Sequence, residues 1–222
     1  MVVAFLASTI LSVVLLRFVP IYFTPLMFLR MAQQIKDDKS ITCHHHWVPL
    51  EQMSEYMPLA VVASEDQRFY QHHGFDLKAI EKAIEHNQKK GKRTKHGAST
   101  ISQQTAKNVF LWPDRSLLRK VLESYFTVLI EMMWSKERIM EVYLNSIEMG
   151  DGIYGVAAVA EWHFQCTAKD LAKGQCAMIA ATLPNPLRYN SSRPSPYIIK
   201  RKEHILKEMR YIQSHIEQKK EN

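Results

Sequence analysis

The sequence predicts an all-α fold, on three observations. Apolar residues recur at helical spacing along most of the chain, strand-like alternation is rare, and capping signals mark the starts of several apolar runs. Gly and Pro number only 7 and 9 in 222 residues, which argues against a disordered chain. A chain of this length builds one sizeable core and leaves room for an anchor. Its formal net charge of +7 points to an anionic partner: nucleic acid, phospholipid headgroups or a phosphorylated substrate.

The first element expected is an N-terminal transmembrane helix over residues 1–19. Residues 1–16 carry no charge, Arg17 interrupts, and residues 18–29 are again uncharged. Val2 to Val19 approaches the ~20 residues a spanning helix needs, provided Arg17 snorkels. Pro20 and Pro25 break the helix. A cleaved signal peptide fits less well, since no basic n-region or small-x-small site is present. The missing upstream Lys/Arg weakens the orientation signal and leaves room for a start further upstream. Residues 20–46 read as a juxtamembrane stem with a charge cluster at Lys36–Lys39, and residues 47–222 as the soluble body. Cys43, Cys166 and Cys176 show no CxxC and no zinc spacing; Cys166 and Cys176 could pair in an oxidising compartment. His44–His46 beside Cys43 read as an exposed polar loop rather than a metal site.

Trp47 to Met57 reads as a loop or short helix, and Pro58 opens a helix to Glu65. That helix leads into Ala63–Asp76, ASEDQRFYQHHGFD, the most informative stretch of the chain. An acidic pair, Glu65 and Asp66, closes an apolar run, and aromatics, two histidines and a glycine follow. Carboxylates beside aromatic walls suit acid/base chemistry on a sugar; a solvated helix end is the blander alternative. Leu77 to Gln88 is a helix with Leu77, Ile80 and Ile84 on one face. Residues 89–96, KKGKRTKH, form a basic loop. No aromatic interleaving supports nucleic-acid binding there.

The next helix starts at Ser99, and Thr100 with Gln103 fits a capping box. Ser99, Gln103 and Lys107 share one face; Thr100, Gln104 and Asn108 form the adjacent stripe. Such a surface suits either an exposed helix or a cleft wall offering amides and an ammonium to a polyhydroxyl anion. Leu117 to Trp134 is a long apolar helix with Arg119, Lys120 and Glu123 in its first turns. Helices follow at Ser135–Leu144, Ala157–Phe164, Ala168–Leu183 and Ile198–Gln218, with Gly150, Gly152 and Gly155 breaking the chain between the first two.

Four blocks together resemble the peptidoglycan glycosyltransferases of the penicillin-binding-protein type. They are Glu65-Asp66-x-x-Phe69-x-x-His72-x-Gly74; Gly97-x-Ser99-Thr100-Ile101-x-Gln103-Gln104-x-x-Lys107-Asn108; Arg119-Lys120-x-x-Glu123; and Lys136 through Glu141-x-Tyr143-Leu144-Asn145. The resemblance covers about Trp47 to Arg201 and is nearest to the monofunctional biosynthetic peptidoglycan transglycosylases, since no SxxK, SxN or KTG set follows.

The resemblance implies a lysozyme-like helical domain over residues 47–222, with a smaller membrane-proximal lobe. It implies a single-pass protein of the bacterial cytoplasmic (inner) membrane with its catalytic domain on the periplasmic side. The reaction it implies is polymerisation of lipid II. The growing glycan on undecaprenyl diphosphate is the donor, the lipid II 4-hydroxyl attacks, and inversion gives a β-1,4 linkage. Glu65 matches the base and Glu123 the second glutamate. Asp66, Phe69, His72, Ser99, Thr100, Gln103, Gln104, Lys107, Asn108, Arg115, Arg119 and Lys120 match substrate-binding positions. Asn145 is expected to tie helices together. No motif demands a cofactor, although Glu123 leaves room for a divalent cation such as Mg or Mn. Partners implied are lipid II with its growing glycan, membrane phospholipids and other cell-wall synthases, with no nucleic acid. The basic loop 89–96 is expected at anionic headgroups or the lipid diphosphate. Gln165-Cys166 and Gln175-Cys176 depart from the family pattern outside the four blocks, so changed packing is expected there. The rival readings are a membrane-bound lytic enzyme and an inactive cell-wall scaffold. The cations of the second and third blocks speak against the lytic enzyme, because cleaving a neutral glycosidic bond needs no diphosphate cradle. Glu65, Lys107 and Glu123, all present, speak against the scaffold.

Overall fold

A computed structural model describes residues 1–88, 97–114 and 116–221. Arg115 and the basic loop 89–96 lie outside the described residues. Among the described residues ten α-helices carry the fold: α1 Val2–Leu16, α2 Pro25–Lys36, α3 Tyr56–Glu65, α4 Leu77–Gln88, α5 Ile101–Phe110, α6 Leu117–Met133, α7 Lys136–Ser146, α8 Gly155–Phe164, α9 Lys173–Thr182 and α10 Pro196–Glu221. A single 3₁₀ turn, Leu50–Gln52, precedes α3.

Helix starts follow the capping chemistry. Ser116 Oγ accepts the Arg119 N–H at the start of α6, and Ser135 Oγ accepts the Arg138 N–H at the start of α7. Pro25 opens a helix as well as following one. It occupies the first turn of α2, where its missing N–H costs nothing, and Thr24 accepts from Met27. The segment read as a stem therefore contains a helix, and α2 packs on α5. Expected Ala168–Leu183 shortens to α9. Thr167 hydrogen-bonds Asp170 in a turn, and Gln175 reaches back to the Ala172 N–H to start the helix later.

The chain is not purely helical. Three short strands form a sheet of order β1-β3-β2: β1 His44–His45, β2 Glu148–Gly150 and β3 Ile153–Tyr154. β1 runs parallel to β3, β2 antiparallel to it. Of the expected polar loop, only His46 is exposed and outside the strand. His44 and His45 are half-buried in a strand, and His45 Nε2 lies 2.9 Å from the Asn145 carbonyl. Pairs this short lack the period-2 run that would announce them. Gly155 follows at φ +78°, and a Cβ there would stand 2.6 Å from the Asn145 carbonyl oxygen.

One continuous core joins two packing groups. In the first, α9 packs against both α3 and α10; in the second, α5 packs against α6 and α7. Phe110 and Phe126 stack at 4.4 Å between α5 and α6. α1 lies on α6, where Thr9 and Tyr125 hydroxyls are 2.8 Å apart and Trp134 donates to the Val13 carbonyl at 2.8 Å. With 15 residues, α1 is about 22 Å long. Among the described residues no helix is long and apolar enough to cross a membrane. The apolar stripe expected on α4 meets no core: Leu77 is 74% and Ile84 52% exposed. Cys43, Cys166 and Cys176 are free thiols, with Cys176 buried and its pKa pushed up to about 11 by that burial.

Candidate active site

α5 is the spine of the site. Its start is fixed by three contacts that close the first two sequence blocks onto each other. Thr100 accepts from the Gln103 N–H while Gln103 Oε1 accepts from the Thr100 N–H, completing the capping box. The Thr100 hydroxyl donates to the Gly74 carbonyl at 2.6 Å. Asp66 accepts the Ile101 N–H at 3.0 Å at the positive end of the helix. Gly74 has φ +90°, and a Cβ there would come within 2.8 Å of Thr127 Cγ2. Only glycine lets this carbonyl approach so closely.

Glu65 ends α3 and faces α5. Its Oε1 accepts from Ser64 Oγ at 3.0 Å, its Oε2 accepts from Gln104 Nε2 at 3.2 Å, and Arg201 stands 3.7 Å away. The Tyr143 hydroxyl donates to Gln104 Oε1 at 3.3 Å, which orients the amide. Tyr143 titrates well above the usual phenol range because it is buried, with Glu65 and Asp66 adding to the effect. A cavity of about 290 Å³ opens beside Glu65, lined also by Asp66, Ser99, Thr100, Lys78 and Lys82.

Asp66 borders that cavity, but its carboxylate is engaged inside the domain. Its side chain is 2% exposed and is gripped by His72 Nε2 at 2.9 and 3.0 Å. Burial raises its pKa, and His72 and the Ile101 N–H oppose the rise. Phe69 is fully buried with the Lys136 ammonium 4.4 Å above its ring, and His72 is 7% exposed. Asp66, Phe69, His72, Thr100 and Gln103 therefore brace the site from inside. Ser99 and Glu65 face the opening.

One turn along α5, Lys107 and Asn108 line a second cavity of about 360 Å³, together with Arg119, Arg30, Glu148 and Asp114. Glu123 is 3% exposed and pairs with both Arg119 and Lys120. Each of its oxygens thereby meets a cation, and Arg30 meets both Glu148 oxygens. Lys107 feels these carboxylates only at a distance. Burial lowers its pKa, Arg119 and Lys120 lower it further, and Glu123 and Glu148 oppose them. Arg119 Nε is buried with no hydrogen-bond partner among the described residues. A partly desolvated ammonium beside an under-used guanidinium has the chemistry to hold an anion.

The structure thus brings Glu65, Gln104, Lys107, Asn108, Arg119, Lys120 and Glu123 together along α5 and the start of α6. Sequence reasoning missed Arg30 and Glu148. Arg30 sat in a segment read as a stem, and Glu148 in one read as a glycine-rich break. The Thr24-Pro25 helix start was the one available signal for Arg30. Asn145 does tie elements together: it accepts from the Val48 N–H and donates to the Val48 and Glu141 carbonyls.

A helical domain that sets a carboxylate at the end of α3 beside cations from α2, α5 and α6 is suited to transferring a sugar from an anionic donor. The transglycosylase family model matches residues 32–210, and the chain belongs to that family. A biosynthetic peptidoglycan transglycosylase of Bacteroides thetaiotaomicron is 57% identical over 96% of this chain and 85% of its own length. Proteins of the same name from Bdellovibrio bacteriovorus and Pasteurella multocida are 51% and 49% identical, each over 92% of this chain and over 81% and 83% of their own lengths.

Proposed function

We propose that this transglycosylase polymerises lipid II into β-1,4-linked glycan, with inversion at the donor anomeric carbon and release of undecaprenyl diphosphate. The observation that carries the reading is the arrangement along α5. A carboxylate stands at one level, and a cation cluster not fully neutralised by its neighbours stands one turn away.

Glu65 takes the proton of the acceptor 4-hydroxyl as that oxygen attacks, a role typically worth about 10² to 10⁴ in rate. Gln104 and Ser64 hold the carboxylate, and Tyr143 holds Gln104. Single displacement needs this base on the face opposite the leaving group. A departing diphosphate needs charge stabilisation more than a proton. Lys107 and Arg119 supply it, with Lys120 at the rim, where its side chain is 45% exposed. Glu123 orients Arg119 and Lys120. No step proposed here runs through a divalent cation.

We further place the protein at the cytoplasmic membrane, with the domain on its outer face in a lysozyme-like arrangement. The apolar surface of α1, including Val3, Phe5, Leu11 and Leu15, supports contact with lipid, and so do Leu117, Leu118 and Val121 on α6. Phospholipids and other cell-wall synthases are the partners this placement provides.

Labelled lipid II, with products resolved by size, tests the function. The wild-type enzyme yields polymer that lysozyme digests. Shortening of pre-formed glycan without polymer from lipid II would favour the lytic reading instead.

A further inference from the structure

Arg30 lies just before the residues that the family model matches, 32–210, and it lines the same cavity as Lys107, Asn108 and Arg119. Glu148 holds its guanidinium as a fork: Nε donates to Oε1 at 3.0 Å and Nη2 to Oε2 at 3.1 Å. Nη1 makes a longer bond of 3.3 Å to Gln33 Oε1 on the same helix. A guanidinium carries five N–H donors, and these bonds use three. The Arg30 side chain remains 28% exposed, against 10% for Glu148. Glu148 is in turn steadied by the Tyr154 hydroxyl at 3.5 Å.

We propose that Arg30 is a substrate-binding residue, its two spare N–H groups contacting the diphosphate that Lys107 and Arg119 hold in the same cavity. The inference rests on the function proposed above. It gives α2 a role in recognition as well as in linking α1 to the domain. Glu148 sets the guanidinium plane and keeps the side chain extended over the cavity, so the contact needs little reorganisation when the anion arrives. A tie serving only to fasten α2 to β2 would have no use for a cation left partly open beside Lys107.

The test breaks the pair from each side and reads binding of inorganic pyrophosphate by calorimetry on the full-length enzyme in detergent, where no turnover is required. Arg30→Gln weakens pyrophosphate roughly tenfold and raises KM for lipid II more than it lowers kcat. Glu148→Gln loses some of the guanidinium's orientation but keeps the cation and removes a carboxylate from the cavity wall, and the lost repulsion outweighs the lost orientation, so pyrophosphate binds as tightly as in the wild type or more tightly. If both variants weaken binding alike, or neither does, the contact is only structural and the inference fails. Should Arg30→Gln not fold, Arg30→Lys carries the test: loss of the fork weakens binding roughly threefold, and unchanged affinity overturns the inference. Anionic vesicles lacking lipid II are the control. Loss of vesicle binding in Arg30→Gln with pyrophosphate binding intact would assign Arg30 to headgroups and overturn the inference. Wild-type enzyme that polymerises lipid II yet binds no pyrophosphate overturns the inference alone. Enzyme that makes no polymer overturns the proposed function, and the pyrophosphate comparison still judges Arg30.

Discussion

Lys107 shows how one side chain's surroundings fix the behaviour of a site. Burial and two neighbouring cations lower its pKa below the usual lysine value of 10.5, although Glu123 and Glu148 partly restore it. The sign of the consequence is fixed. The free site gives up the Lys107 proton at a lower pH than an ordinary lysine would, and a bound diphosphate favours the charged form. Binding therefore takes up a proton, and affinity falls as pH rises through the lowered pKa. Pyrophosphate affinity measured against pH should decline in that alkaline range for the wild type. In Lys107→Gln it should be weaker throughout and flatter. A wild-type profile as flat as that of Lys107→Gln would remove Lys107 from the anion site. Asn145 illustrates the structural counterpart: its three hydrogen bonds leave Asn145→Ala with unpaired groups at Val48. The expected loss is about 2–4 kcal/mol in chemical denaturation.

At the scale of elements, the junction of α3, α5 and the Gly74 turn holds the geometry. The Thr100 hydroxyl and Asp66 fasten the start of α5, and Gly74 supplies a carbonyl where a side chain would strike Thr127. Gly74→Ala should lower stability by about 1–3 kcal/mol in chemical denaturation, because Thr127 is fully buried and cannot yield. Wild-type stability in that variant would show that the turn is not constrained. Much of this junction was legible in the sequence. The Thr100–Gln103 capping box is written in the spacing of two residues, and the stripes along α5 follow from the helical period. What the spacing could not tell was which polar side chains point inward. Gln103 and Gln104 are neighbours of the same type; one closes a cap and the other holds Glu65. That division depends on Gly74, Asp66 and Tyr143 arriving from elsewhere in the chain. The strands at Glu148–Gly150 and Ile153–Tyr154 were illegible because two or three residues are too few to display a period-2 alternation.

For the whole molecule, the N-terminal region connects an exposed apolar surface to the cavity lined by Lys107 and Arg119. α1 fastens to α6 through Thr9 and Val13, and Arg138 donates to the Leu16 and Val19 carbonyls where α1 ends. α2 then returns to the cavity through Arg30. An enzyme lacking residues 1–19 should still polymerise lipid II in detergent but lose most of its rate on lipid II in vesicles. Equal rates in both settings would contradict a membrane role for that segment. The overall class was readable from the sequence because helical periodicity and four ordered blocks survive without tertiary information. The part played by α2 was not, because nothing local distinguishes Arg30 from a solvated arginine until Glu148 is placed beside it.

The central claim is that Glu65 is the base, served by a cation cradle one turn along α5. The most direct measurement is the initial rate of polymer formation from labelled lipid II by Glu65→Gln, with its fold checked by circular dichroism and its pyrophosphate affinity measured alongside. The account predicts a fall in kcat of about 10² to 10⁴ with pyrophosphate binding retained. Polymerisation by Glu65→Gln at the wild-type rate would contradict it.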